Sequence, residues 1–449
     1  MSEDLAASLV EHVLSFPATG LTDEVSQHLG LDLADSLAVT LGGSRAEGIA
    51  ALQQVVQQQY QSGQARVVNS KLSLPAVAAA QLNASAGHAL DYDDTLDEGG
   101  GMHAGALVHN AVLAVADELG NVSGADYSLA VALGLDVAVR LALAPTQDFG
   151  WHRTSAFGIF GVVAALGRLL KLDHSQLHNA FGIAYSQASG NRQCILDGAL
   201  SKRLQAGFAA RDGITAVLLA RAGLTGAQAV FEGPDGFFNL YQRGAYRPDV
   251  ITEGLGTQLL SARISLKPYP CGRNVHALLD ASLAARPAHQ GRSIQSIQVY
   301  LEEAALARNR TQYPEHSVQA QFSIPFSLAL STLSGQTRLQ DYAAPQSASD
   351  AVKALAAKVE LRSQGNQPSR LVFVYDQGGS HTVPLITPSL GHPHNPLTAT
   401  DIRRKLWDCN AFAHNPLRDE TLEQLLHHSL SIRNLANTQT LTRLLQIDH

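Results

Sequence analysis

Charged, aromatic and cysteine residues are all scarce in this sequence of 449 residues. Only 16% of the residues are charged and 6% are aromatic, whereas 45% are hydrophobic. Average globular domains carry about 25% charged residues, so this composition excludes disorder and a long solvated coiled coil as the main state. The apolar surface must be buried in a large core or in a subunit interface. The many Ala and Gly residues favour closely packed helices over a β-sandwich.

The sequence also lacks the features that nucleic-acid and membrane partners require. Its formal net charge of -7 provides no overall attraction for nucleic acid or for an anionic membrane. The longest uncharged stretch, residues 318–337, is rich in Ser and Gln and contains Pro325, so we do not expect it to span a membrane. Glu3 and Asp4 stand where a signal peptide would carry basic residues. We therefore expect a cytoplasmic protein without nucleic-acid or membrane partners.

Motifs for metals and cofactors are absent as well. Cys194, Cys271 and Cys409 are far apart and form no CxxC pair, which disfavours a disulfide framework or a structural zinc site. The chain has no GxGxxG, phosphate-loop, HExxH or GxSxG motif. His392 and His394 lie in a polar connector without nearby Cys or carboxylate partners, so a plain turn is favoured over a metal site. The sequence predicts no metal and no organic cofactor.

Periodicity divides the chain into a helical domain and an α+β domain. Residues 1–264 contain one apolar, Ala-rich helix after another, and amphipathic helices return at 398–449 to complete this domain. Residues 265–397 mix strand alternation with helical stretches. Helices are predicted at 74–91, 108–120, 127–143, 155–171, 174–186, 204–222, 323–334, 349–358, 401–410, 418–430 and 438–447, and strands at 293–301, 370–375 and 381–386.

The first candidate cluster begins at the end of the predicted 74–91 helix. If helical spacing continues, His88, Asp91 and Thr95 share one face, whereas Asp93 and Asp94 point elsewhere. A carboxylate beside a histidine holds one imidazole tautomer and raises its pKa, which suits general acid–base chemistry. The alternative is that this acidic stretch ends the helix and that the following glycine run is a solvated loop.

Two further clusters lie at the starts of helices. His152 precedes the predicted 155–171 helix, whose positive end favours a neutral imidazole and an anionic ligand; the alternative is a buried structural pair with Trp151. Lys202 and Arg203 precede the 204–222 helix. Cations at a helix start are electrostatically unfavourable, which suggests that this pair binds carboxylates. A solvated helix start is the alternative.

The fourth cluster, from Lys267 to His276, carries two prolines. These prolines stiffen the backbone, so Lys267 and Arg273 would be held with little entropy left to lose. The cluster also lies at the predicted domain boundary, where ligand clefts tend to form.

These clusters, in this order, resemble the MmgE/PrpD family over nearly the whole chain. The resemblance runs through the stretches HALDYDDT, GWHRTSAFG, GIAYSQASG, LDGALSKRLQAGFAARDG, FEGPDGF, LKPYPCGRNVHA and AQFSIPF. The family includes 2-methylcitrate dehydratase, cis-aconitate decarboxylase and iminodisuccinate epimerase. The resemblance implies a mainly α fold, with a large all-helical domain and a smaller α+β lid domain. It also implies a homodimer that needs no cofactor.

The resemblance assigns the candidate site residues. The implied catalytic residues are Asp91, His103 and His152. The implied substrate-binding residues are Thr95, Lys202, Lys267, Arg273 and His276, to which we add Arg203 because it adjoins Lys202.

Some positions depart from the family pattern. The loop from Thr95 to His103 is longer than in cis-aconitate decarboxylases, and Ala104 replaces a proline. The KRLHPG pattern becomes Lys202-Arg-Leu-Gln-Ala-Gly207. Phe322 stands where decarboxylases carry a tyrosine, which weakens the decarboxylase assignment most.

We therefore expect a hydro-lyase of the 2-methylcitrate dehydratase type that acts on a small di- or tricarboxylate. The two catalytic histidines would divide the base and acid roles, Asp91 would orient one of them, and lysine and arginine would stabilise charge on the substrate carboxylates. Closure of the lid domain would exclude water. Alternatives are an epimerase of a dicarboxylate, a cis-aconitate-type decarboxylase, and a non-catalytic helical interaction protein. The last is disfavoured by the presence of both histidines and both lysines.

Overall fold

A computed structural model describes residues 4–289, 291–303, 306 and 312–447. The chain forms two compact units. The helical unit comprises Met1–Ala89, Asp93–Leu266 and Thr398–His449, and the α+β unit comprises Leu90–Tyr92 and Lys267–Leu397. The sequence analysis predicted domain boundaries after residues 264 and 397, and the observed boundaries lie after Leu266 and Leu397.

The first part of the helical unit is built almost entirely from helices. They are α1 (Leu5–Ser15), α2 (Asp23–Gly43), α3 (Ile49–Gln59), α4 (Ala76–Gly87), α5 (Gly105–Leu119), α6 (Gly124–Leu143), α7 (Arg153–Leu169), α8 (His174–Tyr185), α9 (Gln193–Leu196), α10 (Ser201–Arg221), α11 (Phe237–Gln242) and α12 (Pro248–Thr252). A short antiparallel pair, β1 (Ala65–Arg66) and β2 (Ser73–Leu74), precedes α4. Single 3₁₀ turns lie at Ala18–Gly20 and Ser261–Arg263.

Small residues let the central helices approach closely. A Cβ atom added to Gly134 on α6 would lie 2.6 Å from the carbonyl oxygen of Gly161 on α7, and one added to Gly161 would lie 2.7 Å from that of Gly134. Neither position can therefore carry a side chain without moving a backbone. This close packing explains why a chain with so few charges and aromatics still forms a dense core.

The α+β unit contains a mixed sheet of four strands in the order β4-β3-β5-β6. The strands are β3 (Ile294–Leu301), β4 (Val359–Ser363), β5 (Arg370–Tyr375) and β6 (Ser380–Pro384), with β3 parallel to β4 and antiparallel to β5. Among its described residues, helices are α13 (His276–Ala285), α14 (Ser317–Gln321), α15 (Ile324–Ser334), α16 (Leu339–Ala343) and α17 (Asp350–Ala356), with 3₁₀ turns at Arg273–Val275, Arg286–His289 and Pro345–Ser347. The predicted fold class, mainly α with a smaller α+β part, is confirmed.

Alternating apolar residues in the sequence identify the side chains on the buried face of this sheet. Ile297 and Val299 on β3 are buried against Leu371 and Phe373 on β5, and the predicted hairpin joins β5 to β6. Strand β4 was not predicted. It is short, only Val359 is fully buried in it, and its parallel partner is distant in the chain.

The C-terminal helices α18 (Ala399–Phe412), α19 (Asp419–Leu430) and α20 (Gln439–Thr442) belong to the helical unit, with 3₁₀ turns at Ile432–Asn434 and Arg443–Leu445. Lys405 Nζ on α18 lies 2.5 Å from Asp35 Oδ1 on α2, and both side chains are buried. Burial raises the pKa of Asp35 to about 6, from an ordinary value of 3.8, although the ammonium of Lys405 opposes the shift.

In the described part of the chain, no helix combines the length and the apolar character that a membrane span needs.

Breaking the Asp35–Lys405 pair should destabilise the helical unit strongly. Lys405→Met leaves the carboxylate buried and uncompensated, so we expect the free energy of unfolding to fall by about 3–5 kcal/mol at pH 7. Because the folded protein then favours protonated Asp35 even more, the loss should be smaller at pH 5 than at pH 7. Urea denaturation at both pH values measures it. Arg403→Met is the matched control on the same helix, because Arg403 and Glu423 form an exposed pair. Equal stability of the two variants would contradict the prediction.

Candidate active site

The predicted helix through Asp91 is wrong at its end. Helix α4 stops at Gly87, His88 follows it as the C-cap residue, and Asp91 has a φ of 51°. A left-handed residue cannot continue a right-handed helix, and Asp tolerates this conformation better than most residues. Helical spacing therefore does not place His88, Asp91 and Thr95 on one face, because the helix ends before the acidic stretch begins.

Asp93, which we expected to point elsewhere, contacts two histidines. Its Oδ2 atom lies 2.6 Å from His88 Nδ1 and 3.6 Å from His103 Nδ1. Asp93 and His88 have fully buried side chains. The second oxygen of Asp93 has no hydrogen-bond partner among the described residues. One carboxylate therefore lies within electrostatic reach of both rings.

His152 completes a cluster of three imidazoles. It is the N-cap residue of α7 and is buried. Its Nε2 atom lies 3.3 Å from His88 Nε2. The ring of His88 stands between the other two, with centroid distances of 5.0 Å to His103 and 5.2 Å to His152. We call His88, His103 and His152 the histidine cluster.

Hydrogen bonds fix the orientation of His103. Its Nδ1 atom lies 2.5 Å from the carbonyl oxygen of Asp94. Because a carbonyl only accepts, Nδ1 carries a proton, and Nε2 is the basic nitrogen of the neutral ring. The main-chain N–H of His103 donates to Thr154 Oγ1 at 3.1 Å. His103 is thus held in one tautomer with Nε2 as its proton acceptor.

The side chain of Asp94 anchors the same segment to α5. Its two oxygens accept hydrogen bonds from the amides of Gly105 at 2.9 Å and Ala106 at 3.2 Å. Burial raises the pKa of Asp94 well above its ordinary value, and the charges of Asp32 and Asp93 add to the rise. The first turn of α5 therefore sets the position of the backbone carbonyl that holds His103.

The glycine-rich loop from Thr95 to His103 closes on itself. The amides of Leu96 and Gly101 donate to the carbonyl oxygens of Met102 and Leu96, at 2.7 Å and 3.1 Å. Gly100 and Gly101 both have positive φ, which glycine adopts without strain. The loop is therefore an ordered turn, and the bridge between Leu96 and Met102 brings its two ends together.

Thr95 lies at one of these ends and is fully buried. Its main chain exchanges two 2.7 Å hydrogen bonds with Ser265. Its hydroxyl has no hydrogen-bond partner among the described residues. Buried hydroxyls are normally satisfied, so this one is suited to meet a bound water or ligand.

Lys202 and Arg203 lie in the first turn of α10, and both are buried. The alternative of a solvated helix start is therefore wrong. Arg203 Nη1 donates to the carbonyl oxygen of Glu47 at 2.6 Å, and burial lowers the pKa of Arg203. This hydrogen bond connects the start of α10 to the loop between α2 and α3.

In the α+β unit, Asp91 pairs with Lys267. Lys267 Nζ donates to the carbonyl oxygen of Asp91 at 2.9 Å and lies 3.4 Å from its Oδ2 atom. Both side chains are almost completely buried. In its left-handed conformation, Asp91 therefore directs both its carbonyl oxygen and its carboxylate toward the ammonium group of Lys267.

Arg273 and His276 form a second arrangement in this unit. Arg273 Nη1 donates to His276 Nδ1 at 3.1 Å and to the carbonyl oxygen of Leu390 at 2.7 Å. His276 Nε2 then donates to the carbonyl oxygen of Cys271 at 3.2 Å. Burial and the neighbouring cations Arg273 and Lys267 lower the pKa of His276 well below its ordinary value. His276 is thus a neutral ring that positions Arg273.

Phe322 and Cys271 pack in this unit and offer no reactive group near Arg273. A Cβ atom added to Gly272 would lie 3.0 Å from the ring of Phe322, so the ring packs directly on the backbone beside Arg273. Burial raises the pKa of the Cys271 thiol to about 12, which makes it a poor nucleophile.

The histidine cluster also has the composition of a metal site. His88, Asp93 and His103 each offer a ligand atom, and these atoms lie within 4.8 Å of one another. However, each histidine Nδ1 atom already donates a proton, one to Asp93 and one to the carbonyl of Asp94. Hydrogen bonding thus accounts for their proximity. At the other candidate metal site, His392 Nδ1 accepts from the amide of His394 at 3.1 Å, as expected for a turn.

Comparison with protein families settles the relationship suggested by the sequence. The MmgE/PrpD N-terminal domain matches residues 7–248, and the MmgE/PrpD C-terminal domain matches residues 269–428. The chain belongs to the MmgE/PrpD family.

Members of the family with similar sequences carry names for one activity. The cis-aconitate decarboxylase-like protein of Aspergillus oryzae is 26% identical to this chain, over 98% of this chain and 97% of its own length. The cis-aconitate decarboxylase of Mus musculus is 26% identical over 99% and 94%, and that of Aspergillus terreus is 28% identical over 69% and 68%.

We expect chelation to leave activity unchanged, because the hydrogen bonds of the two Nδ1 atoms already account for the proximity of His88, Asp93 and His103. We expect unchanged turnover after dialysis against EDTA, measured on whichever carboxylate the enzyme converts. Loss of turnover after dialysis that a divalent ion restores would show that the histidine cluster holds a metal.

Proposed function

We propose that the protein is a lyase that acts on a small di- or tricarboxylate without a metal or organic cofactor. The observation that carries this proposal is the histidine cluster, in which two buried imidazoles lie beside the carboxylate of Asp93 and a third, His152, contacts one of them, His88. Imidazole exchanges protons near neutral pH, and a buried site strengthens its electrostatic interactions. The family and the names of its members support a carboxylic acid substrate.

The proposed chemistry begins at a carbon next to a carboxylate. Removal of its proton builds negative charge on that carboxylate, which cations must stabilise in the transition state. We assign the base to His103, because its Nδ1 is held and its Nε2 is the basic nitrogen. We assign the acid to His152, and the carboxylate-binding roles to Lys202, Lys267 and Arg273.

Dehydration is the first candidate reaction. One imidazole takes the proton next to the carboxylate, the second protonates the hydroxyl on the neighbouring carbon, and water leaves as the double bond forms. Two separately held histidines, His103 and His152, suit this division of roles. Phe322 supports the same choice, because its ring has no hydroxyl group to offer as a proton donor.

Decarboxylation is the second candidate, and the named relatives favour it. In this reaction the C–C bond to a carboxylate breaks, carbon dioxide leaves, and one imidazole protonates the carbanion that remains. Only one acid is required. Both reactions use the same cations, because both place negative charge beside a remaining carboxylate.

Proton NMR of the reaction in D₂O distinguishes these reactions. The substrates are 2-methylcitrate, cis-aconitate and iminodisuccinate at neutral pH. Dehydration gives an alkene signal from a saturated acid, decarboxylation gives a deuterated product with one carboxylate fewer, and epimerisation gives the other stereoisomer with deuterium at the α-carbon. If none of the three acids, nor close analogues of them, exchanges or reacts, the proposed function is wrong.

Each acid–base histidine should be essential for turnover. We expect His103→Ala and His152→Ala each to lower kcat by about 10²–10⁴-fold, as found for positioned acids and bases. His12→Gln is the matched control, because His12 is an equally buried histidine paired with Asp136 at 2.9 Å. Circular dichroism checks that each variant folds. Near-native kcat in both folded histidine variants would refute the assignment.

The lysines should act mainly on substrate binding. Lys202→Ala and Lys267→Met remove cations, so we expect a higher KM, together with a lower kcat where charge builds in the transition state. Steady-state kinetics at constant ionic strength measure both values, and thermal melting checks Lys267→Met, because it leaves Asp91 without its 3.4 Å partner. Unchanged KM and kcat in both variants would remove these lysines from the site.

We propose further that the protein is a homodimer formed through its helical unit. Exposed large apolar side chains on this unit include Leu196, Leu218, Leu224 and Leu240, and such surface is commonly covered by a second copy. Light scattering at micromolar concentration should therefore give twice the chain mass. A monomeric mass would contradict this.

A further inference from the structure

His88 has no role in the chemistry assigned above, yet it lies at the centre of the histidine cluster. Its two ring nitrogens face different partners, with Nδ1 at 2.6 Å from Asp93 Oδ2 and Nε2 at 3.3 Å from His152 Nε2. The side chains of Asp93 and His88 are fully buried. The three groups therefore form a line from a carboxylate through one imidazole to another.

The positions of the protons follow from this line. The Asp93 carboxylate accepts, so His88 Nδ1 carries a proton and the neutral ring offers a lone pair at Nε2. The 3.3 Å contact then requires His152 Nε2 to donate. His152 is therefore held as the Nε2–H tautomer, and Nδ1 is its basic nitrogen.

We propose that Asp93 and His88 are a positioning pair, which fixes the tautomer of His152 and accepts its surplus proton during turnover. This role rests on the proposed function of His152 as an acid–base group. As the acid, His152 first gains a proton at Nδ1 from solvent, and the proton on its Nε2 transfers to His88 Nε2. His152 is then neutral with its proton on Nδ1, and His88 is an imidazolium that still donates to Asp93. When His152 gives its Nδ1 proton to the leaving group, the proton on His88 Nε2 returns to His152 Nε2, and both rings are neutral again.

Electrostatics favour this transfer of charge. An imidazolium that donates to a carboxylate at 2.6 Å forms a charge-assisted hydrogen bond, which is among the stronger hydrogen bonds in proteins. The same Asp93 oxygen lies 3.6 Å from His103 Nδ1, so its charge also stabilises a protonated His103. A single carboxylate can therefore support both proposed acid–base residues.

Kinetics of two variants test the pair. We expect Asp93→Asn and His88→Gln to lower kcat by about 10–10³-fold with little change in KM, because neither residue binds substrate in this proposal. In the His152→Ala background, His88→Gln should add little further loss, because His88 acts through His152. His12→Gln, outside the histidine cluster, should leave kcat and KM unchanged. Near-native kcat in folded Asp93→Asn and His88→Gln, or an equal loss with and without His152, would overturn the proposal.

A second measurement does not depend on the substrate. In protein labelled with ¹⁵N-histidine, we expect the His152 ring, assigned by its absence in His152→Ala, to carry its proton on Nε2. Asp93→Asn should shift the ring signals of His88 and His152 while leaving those of His12 in place. A proton on Nδ1 of His152 in the wild-type protein would overturn the positioning pair. If the NMR result holds but no polycarboxylate reacts, the proposed function fails and the hydrogen-bonded pair stands.

Discussion

The carboxylate of Asp93 is the centre on which the candidate active site depends. It bonds His88 directly and lies within reach of His103, while His88 in turn contacts His152. Its negative charge stabilises the protonated forms of the neighbouring imidazoles against desolvation. The proton transfers that we propose therefore depend on this one buried acid.

That acid is one of several that the helical unit buries, and each needs a partner because an isolated buried charge is costly. These acids include Asp32, which pairs with His109, Asp35 with Lys405, Asp93 with His88, and Asp94 with the first amides of α5. Glycine at position 105 allows Asp32 and Asp94 to lie close to the start of α5, since a Cβ atom on Gly105 would lie 2.9 Å from oxygens of both carboxylates. The small-residue helices and the acid–base site thus depend on each other.

The sequence determined the fold class and much of the site. Ala-rich apolar helices with few charges could only be stable when closely packed, and the alternation at Ile297 and Val299 could only bury one face of a sheet. Ordered motifs pointed to the MmgE/PrpD family, which is confirmed, and to His103 and His152. These features are local in the chain, so composition, periodicity and motif order are enough to find them.

The tertiary structure alone decided how these residues meet. Periodicity carried the helix through Asp91, but α4 ends at Gly87, and the chain then turns so that Asp93 contacts His88 and His103. The glycine after the alanine run was a possible stop signal, yet it could not say where the next carboxylates would point. Such contacts arise from chain segments that are distant in sequence or joined by irregular turns, where no repeating geometry relates a residue's position in the chain to the direction of its side chain.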